Sequence, residues 1–456
     1  MNKRYKKSVF IFRRDLRLGD NTALIEALDS SIEVMPCFII DPFILRRRSK
    51  NKYLLEFFTE TLEELIGYLQ LKGTSLSLFK GKPSNVVQEI IKKDEIDAIF
   101  VNRDYTPYSI DRDKSIKEIC SKNQIPFYQL NDYLLNEPEE VLTVKGTPYT
   151  VFTPYFRKAS VNSVRYPRKN ETDNYSTDIL GKIDYLEEIS IDNKSMIAIK
   201  PGRKECLEIL KNIPKYVNYE LERNFPSIKG TTHLSPHLKF GSCSIREAYH
   251  NIRTSLGKDH SLIKQLYWRD FFTQIGYYFP RIYRRAFREK YNQIKWQKKD
   301  KSFEAWCKGK TGFPIVDAGM RELNLTGYMH NRIRMIVASF LTKDLHIDWR
   351  RGEKYFANKL VDFDLSVNNG NWQWAASTGC DAQPYFRIFN PWLQQKKYDP
   401  KCIYIKKWIP ELENVEINLI HNWFKQKKDE TIDYPLPIVD HKFESVLSKK
   451  LYSANI

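Results

Sequence analysis

Short apolar runs and amphipathic stretches alternate through the first 130 residues. The runs at 8–12 (SVFIF), 34–40 (VMPCFII), 75–79 (SLSLF) and 96–101 (IDAIFV) predict strands. Helical spacing at 21–29, 51–72, 84–93 and 109–122 falls between and after them. Continuous apolar strands alternating with helices predict a buried parallel sheet in an α/β domain spanning 1–130. Residues 131–205 are rich in Asn, Asp, Ser, Tyr and Pro and weakly periodic, which predicts an interdomain connection. From 206 to 456 apolar residues recur at three- and four-residue spacing, as at 244–256, 261–279, 314–326 and 329–345. That region is predicted to be a large all-α domain.

Length and composition narrow the class. The 456 residues are 42% hydrophobic and 29% charged, an ordinary globular balance. No apolar run approaches the roughly 18 residues of a membrane span, and SVFIF is too short for a signal peptide. The seven cysteines form no CxxC pair, so neither a disulfide framework nor a metal site is expected. A reducing, cytoplasmic setting follows as the expectation.

Charge separates the two parts. Residues 1–200 hold 31 basic and 29 acidic side chains, and residues 201–456 hold 43 and 27. All nine tryptophans, Trp268 to Trp423, lie in the basic part. A basic, aromatic-rich domain is the footprint of a polyanion binder, most often of nucleic acid.

Candidate chemistry concentrates in that part. GTTHLSPHLKFG (230–241) reads as a loop entering a helix, with hydroxyls suited to phosphate. Taken alone it is also an ordinary cap, Ser235 preceding Pro236. In QLYWRDFF (265–272), Gln265, Trp268, Arg269 and Phe272 share one helical face, an arrangement that can stack a base. GYMHNRIRM (327–335) sets Asn331 and Arg334 three residues apart. DFDLSVNNGNWQW (362–374) crowds Asp362, Asp364, Asn368, Trp372 and Trp374 into thirteen residues. Arg281, Arg284, Arg285 and Arg288 of RIYRRAFREKY are predicted on nearly one helical face. No GxGxxG follows the first strand and no Walker A motif is present, so a sheet-borne dinucleotide site is not expected.

These motifs resemble the photolyase/cryptochrome family, and within it a class I-like DNA photolyase of the cyclobutane pyrimidine dimer type. FIFRRDLRLGDN (10–21), YELERNFP (219–226), GKTGFPIVDAGMREL (309–323), MHNRIRM (329–335), DWRRGEKYF (348–356), NNGNWQWAASTGCDAQPYFRIFNP (368–391) and DYPLPIVDHK (433–442) are similar to the family, nearly end to end. The resemblance implies an α/β Rossmann-like N-terminal domain and a helical domain that binds FAD, active as FADH⁻. It also implies a monomer acting on UV-damaged DNA. Blue or near-UV light would drive one electron from the flavin to the dimer, which splits and returns it.

Roles follow from the resemblance residue by residue. Tyr219 and the loop Thr231, Thr232, His233, Leu234 and Ser235 match positions that hold FAD and its phosphates. Arg269, Arg334, Asp362, Phe363, Asp364 and Asn368 belong to the same cofactor set, with Asn368 at the position facing flavin N5. Trp372, Trp349 and Trp296 match a tryptophan chain that photoreduces the flavin. Gln265, Trp268, Asn331, Met335, Asn368 and Trp374 form the implied catalytic set, in which Trp268, Met335 and Trp374 wall the pocket for the flipped lesion. Arg223, Arg332, Arg387 and Lys397 match DNA-phosphate contacts. A second, antenna chromophore is implied, folate or deazaflavin, with NRDYTPYSIDRD (102–113) at its edge.

Two positions depart from the family pattern. Gln265 stands where cyclobutane-specific members usually carry Glu, and Gln there resembles (6-4) photolyases. Those show paired histidines where this chain has His330-Asn331, so the cyclobutane reading is kept. His233 stands where relatives carry Arg. The alternatives are a (6-4) photolyase and a cryptochrome photoreceptor. A long C-terminal tail would mark the cryptochrome, and the sequence ends about 14 residues after DHK (440–442). A nucleic-acid binder without catalysis is a third reading, which a colourless purified protein would revive.

Overall fold

Five parallel strands form one sheet: β1 (Tyr5–Phe12), β2 (Ser31–Ile40), β3 (Ser77–Lys80), β4 (Ala98–Asn102) and β5 (Phe127–Leu130), in the order β3-β2-β1-β4-β5. The structure is a computed structural model and describes residues 3–182, 196–427 and 431–454. Val9 pairs with Met35 on one side and Ile99 on the other, and Ile99 pairs with Phe127. Both faces of the central strands are covered, which is why they read as unbroken apolar runs. Val9, Ile11, Met35, Ile39, Ile99 and Val101 join Val87, Ile90 and Ile116 of the covering helices in one core cluster.

The crossover helices Thr22–Ser30, Lys52–Gln70, Pro83–Lys93 and Pro107–Lys122 lie where the apolar spacing predicts them. Their starts follow local chemistry. Asn21, Asn51 and Thr106 each accept a hydrogen bond from a first-turn N–H, of Leu24, Leu54 and Ser109 respectively. The edge strand β5 and the helix Pro42–Arg48 are not among the predicted elements. Each is too short to establish a period, and the residues of β5 are half-buried or exposed.

The chain divides into two compact units. The first holds the sheet and takes in residues 199–215 and 232–278, with the helices Ser235–Phe240, Ile245–Leu256 and Ser261–Tyr278. The second holds 216–231 and 279–456 and is helical, including Pro314–Thr326, Asn331–Lys343, Trp349–Ala357, Leu365–Ala375 and His441–Ser453. Part of the predicted connection, 183–195, lies outside the described residues. The preceding stretch contains the helix Phe152–Ala159 and runs beside β2, where Val34 N–H donates to Asn174 O and Ser176 N–H to Val34 O.

One expected helix is absent. Residues 281–291 form two separate 3₁₀ turns, Pro280–Tyr283 and Glu289–Gln293. The four arginines therefore do not share a helical face. Arg281 pairs with Glu289 at 2.7 Å, and Arg285 O accepts from Gln373. Among the described residues no helix is long and apolar enough to cross a membrane.

Candidate functional site

The predicted site residues fall in both units. In the first, GTTHLSPHLKFG ends in the six-residue helix Ser235–Phe240. Its cap position is Leu234 rather than Ser235, and no side chain caps it. Thr232 Oγ1 accepts weakly from Leu234 N–H at 3.4 Å, and His233 sits at φ +56°, in the left-handed region. The helix stops at Gly241, φ +68°. A Cβ there would lie 2.4 Å from Arg14 O, so glycine lets the turn after β1 reach the helix end, where Leu16 N–H donates to Phe240 O.

The helix Ser261–Tyr278 carries Gln265, Trp268 and Arg269, all half-buried. Gln265 Nε2 donates to Ser261 O at 3.3 Å. Trp268 stacks face to face on Phe152, centroids 3.6 Å apart and planes 8° apart. Arg269 lies 3.4 Å over the Tyr133 ring and donates to Tyr133 O at 2.7 Å. Phe272 faces the core rather than a ligand, stacked beside Trp268. Arg269 also lines a cleft at the C-terminal ends of β1 and β4, with Arg13, Arg14, Arg17, Arg103 and Tyr133. Between those strands the sheet order reverses, the position at which open α/β sheets bind ligands.

In the second unit the helix Leu365–Ala375 brings three predicted residues together. Asn368 and Trp372 are buried, and Trp374 is half-buried. Asp364 caps the helix, Oδ1 accepting from Ser366 and Val367 N–H. Asn368 Nδ2 donates to Glu353 Oε1 at 3.0 Å and to Glu353 O at 3.2 Å. The amide is thereby oriented, with its carbonyl oxygen turned from those acceptors. Arg334 forms a forked pair with Asp362, 2.9 Å and 3.2 Å, and donates to Met329 O at 2.7 Å. Burial pulls the Arg334 guanidinium down, but Asp362 and other anions outweigh it, so the charge is held. Phe363 is buried beside this pair in sequence, and Tyr219 is buried under the Arg223 guanidinium at 5.5 Å.

Trp349 and Trp372 are only 1% and 2% exposed, whereas Trp296 is half-buried in a cluster with Tyr291 and Tyr452. Gly352, one turn after Trp349, makes room for this packing. A Cβ there would lie 2.2 Å from the Trp372 ring. Trp372 also meets Phe356 and Trp306 edge-on at 5.0 and 6.2 Å.

The basic positions gather as well. Arg332 donates to Asn224 Oδ1 at 2.5 Å and lies 4.5 Å over the Tyr398 ring, which Lys397 also approaches at 5.4 Å. Burial lowers the Arg332 pKa, and the nearby positive charges of Arg223 and Arg387 add to that. Arg387 and Lys397 are exposed. Asn331, of the implied catalytic set, opens the helix Asn331–Lys343 and is exposed, while Met335 one turn later is half-buried.

Sequence reading missed Phe152, Glu353 and Tyr398. Glu353 lies inside DWRRGEKYF and Phe152 inside the aromatic-dense VFTPYF. Residue type in those motifs was their only signal.

Residues 8–170 match the family profile described as DNA photolyase, and 262–454 that described as FAD binding domain of DNA photolyase. The deoxyribodipyrimidine photo-lyase of Alkalihalophilus pseudofirmus is 38% identical over 94% of each chain. An archaeal photolyase from Sulfolobus tokodaii, solved with two FAD molecules that imply a novel light-harvesting cofactor, superposes with TM-score 0.88 at 40% identity, covering 98% of this chain and 100% of that one. A class III photolyase from Agrobacterium tumefaciens gives 0.91 at 32%, over 100% and 98%. A Synechocystis cryptochrome gives 0.87 at 27%, over 99% and 100%.

Proposed function

This chain belongs to the DNA photolyase family, and from that premise we propose that it repairs cyclobutane pyrimidine dimers in DNA with light. The observation that supports this most is a single helix, Leu365–Ala375, that bears an oriented amide (Asn368), a buried indole (Trp372) and a half-buried one (Trp374). These are the kinds of group needed for a cofactor, its electron supply and a base.

The donors fit FAD. Hydroxyls at Thr231, Thr232 and Ser235, with the neighbouring His233, Leu234 and Tyr219, would hold its phosphates and linker. Arg269, Arg334, Asp362, Phe363, Asp364 and Asn368 would hold its ring system. Bound and reduced, FAD supplies the photoexcited electron that a cyclobutane dimer needs in order to split. Asn368 Nδ2 donates to Glu353 O and Oε1, so its carbonyl oxygen would be the atom offered to the cofactor. Arg334, held in its charged form against Asp362, would be the cation offered to the ring. Trp372 and Trp349 are shielded from water and Trp296 is half-exposed, an order suited to drawing an electron inward. Trp268, Met335 and Trp374 would stack or wall the flipped bases, with Gln265 and Asn331 as hydrogen-bonding groups. Arg223, Arg332, Arg387 and Lys397 would bind phosphates on either side. A damaged pair is weakly stacked, which lowers the flipping cost of a few kcal/mol.

The test is an oligonucleotide with one thymine cyclobutane dimer, given to the flavin-loaded protein in blue light and in darkness. Restoration in light alone is the expected result. Gln265 supports a second reading, a (6-4) photolyase, and repair of a (6-4) product instead would select it. Gln265→Glu is expected to raise the repair quantum yield of the cyclobutane enzyme, because a carboxyl group can stabilise the dimer by a stronger hydrogen bond than an amide. No gain would count against that role.

A second chromophore belongs to the same proposal. The cleft at β1 and β4 sets Arg13, Arg14, Arg17, Arg103 and Arg269 against Asp15, Asp104 and Asp132, and this excess of positive charge would suit an anionic molecule. The 40% identity to the Sulfolobus tokodaii photolyase favours a flavin there over the folate or deazaflavin expected from sequence. Chromophores released by denaturation should contain flavin in excess of one per chain, and a pterin would overturn this choice.

A further inference from the structure

The stacked contact between Trp268 and Phe152 is the closest and flattest aromatic pair among the described residues of the first unit. It joins residues 116 positions apart in sequence. Phe152 opens the helix Phe152–Ala159, in which Phe152, Tyr155 and Ala159 are buried and Phe156 is half-buried. These aromatic residues meet the helix Ser261–Tyr278. Phe156 packs edge-on against Tyr267 at 5.2 Å, Tyr155 lies 5.3 Å from Phe271, and Phe152 meets Phe271 edge-on at 5.7 Å. Phe152 is therefore held by its own neighbours, independently of Trp268.

Trp268, unlike Phe152, Tyr155 and Phe271, is half-buried. Phe152 covers one face of the indole, Phe271 sets its edge at 5.7 Å and 84°, and Phe272 lies 5.4 Å away at 29°. An indole so held has its plane and rotamer chosen before any ligand arrives. Binding to it forgoes the usual cost of ordering a side chain.

We propose that Phe152 is a positioning residue that fixes the plane of Trp268 and reserves one face of that indole for protein, leaving its exposed part for a base of the lesion. This rests on the reading of Trp268 as a wall of the lesion pocket. Phe152 itself touches no substrate. Its effect lies in the affinity for damaged DNA and not in the splitting of a lesion already bound.

The experiment uses the full, flavin-loaded chain. Binding is measured to an oligonucleotide with one thymine cyclobutane dimer and to its undamaged twin, for Phe152→Leu, Phe152→Tyr and Trp268→Ala. Loss of an aromatic partner predicts that Phe152→Leu weakens binding to the dimer by about 3- to 10-fold. Undamaged DNA should bind as before, and Phe152→Tyr, which keeps the ring, should restore wild-type affinity. The repair yield per bound dimer should stay at the wild-type value. Wild-type affinity in Phe152→Leu overturns the proposal. So does an equal loss on both oligonucleotides, or a failure of Phe152→Tyr to restore binding, since either marks a general packing role. If Trp268→Ala leaves dimer binding intact, the lesion-pocket reading of Trp268 falls first and this proposal with it. If Trp268→Ala weakens it and Phe152→Leu does not, only this proposal falls.

Discussion

Each of the two units buries charge, and they do so differently. In the sheet-bearing unit, Asp132 accepts from Arg17 and Arg246, both at 2.6 Å, and from Thr22 Oγ1 at 2.8 Å. Asp20 accepts from Arg246 at 2.8 Å, Arg165 at 2.7 Å and Ser244 Oγ. Burial pushes the Asp132 carboxyl up, but the two arginines overcome it and hold the group well below the usual carboxylate range. In this network each carboxylate is met by arginines of its own unit. In the helical unit, burial lowers the Arg332 pKa, and the positive charges of Arg223 and Arg387 beside it add to that. Paired networks hold a fold in register; like charges set together at a surface are satisfied by an outside anion.

The comparison can be broken at several points. Asp132→Ala should have the largest effect, because it leaves two buried guanidinium groups without their carboxylate. Loss of one partner of a buried charge network costs about 3–5 kcal/mol. A denaturant midpoint close to wild type would show that the network is not structural.

Asp270 sharpens the contrast within the first unit. It is as deeply buried as Asp132, yet burial dominates and raises it to about 7, with Arg269 and two backbone N–H groups opposing and Glu137 reinforcing. An aspartate in the unfolded chain ionises near pH 4, so between pH 4 and 7 the folded state holds the extra proton. Its contribution to stability is full below pH 4 and is lost as pH rises through 7. Asp270→Asn should remove that decline, worth about 2–4 kcal/mol across the window. Melting temperatures of both proteins from pH 4 to 8 would reveal it, and parallel curves would refute it.

Gly352→Ala tests the packing behind the tryptophan chain. The new methyl meets the Trp372 ring at 2.2 Å and Leu341 at 2.5 Å. Overpacking of this kind costs about 1–3 kcal/mol. Photoreduction of bound flavin should slow along with it if Trp372 feeds the cofactor. Stability loss with an unchanged rate would separate the indole from electron supply.

The smallest effect is expected at the basic surface. Arg332→Ala should weaken binding to damaged and undamaged DNA alike and reduce the slope of log affinity against log salt by about 1. An unchanged slope would remove Arg332 from the phosphate contacts.

Legibility in the sequence followed the range of the interaction. Four strands and their crossover helices were readable, because burial on both faces leaves an unbroken apolar run and a cap leaves an Asn or Thr at a fixed offset. β5 and the helix Phe152–Ala159 were too short for periodicity. The arginine run at 281–291 read as a helix from spacing, but bonds to its backbone, Arg288 N–H to Thr378 O and Gln373 Nε2 to Arg285 O, hold it in separate turns. Contiguous motifs announced Asn368, Trp372 and Arg334 as chemistry. Their partners Glu353 and Asp362, 15 and 28 positions away, could be paired with them only in three dimensions.

The sequence by itself determined the α/β and helical parts, the charge asymmetry between them and the family, since these depend on local periodicity, composition and long contiguous motifs. Only the tertiary structure decided which way the Asn368 amide is held, which aromatic residue backs Trp268 and which aspartate stays charged. Those outcomes depend on burial and on partners distant in the chain, and neither is written in the spacing of any one segment.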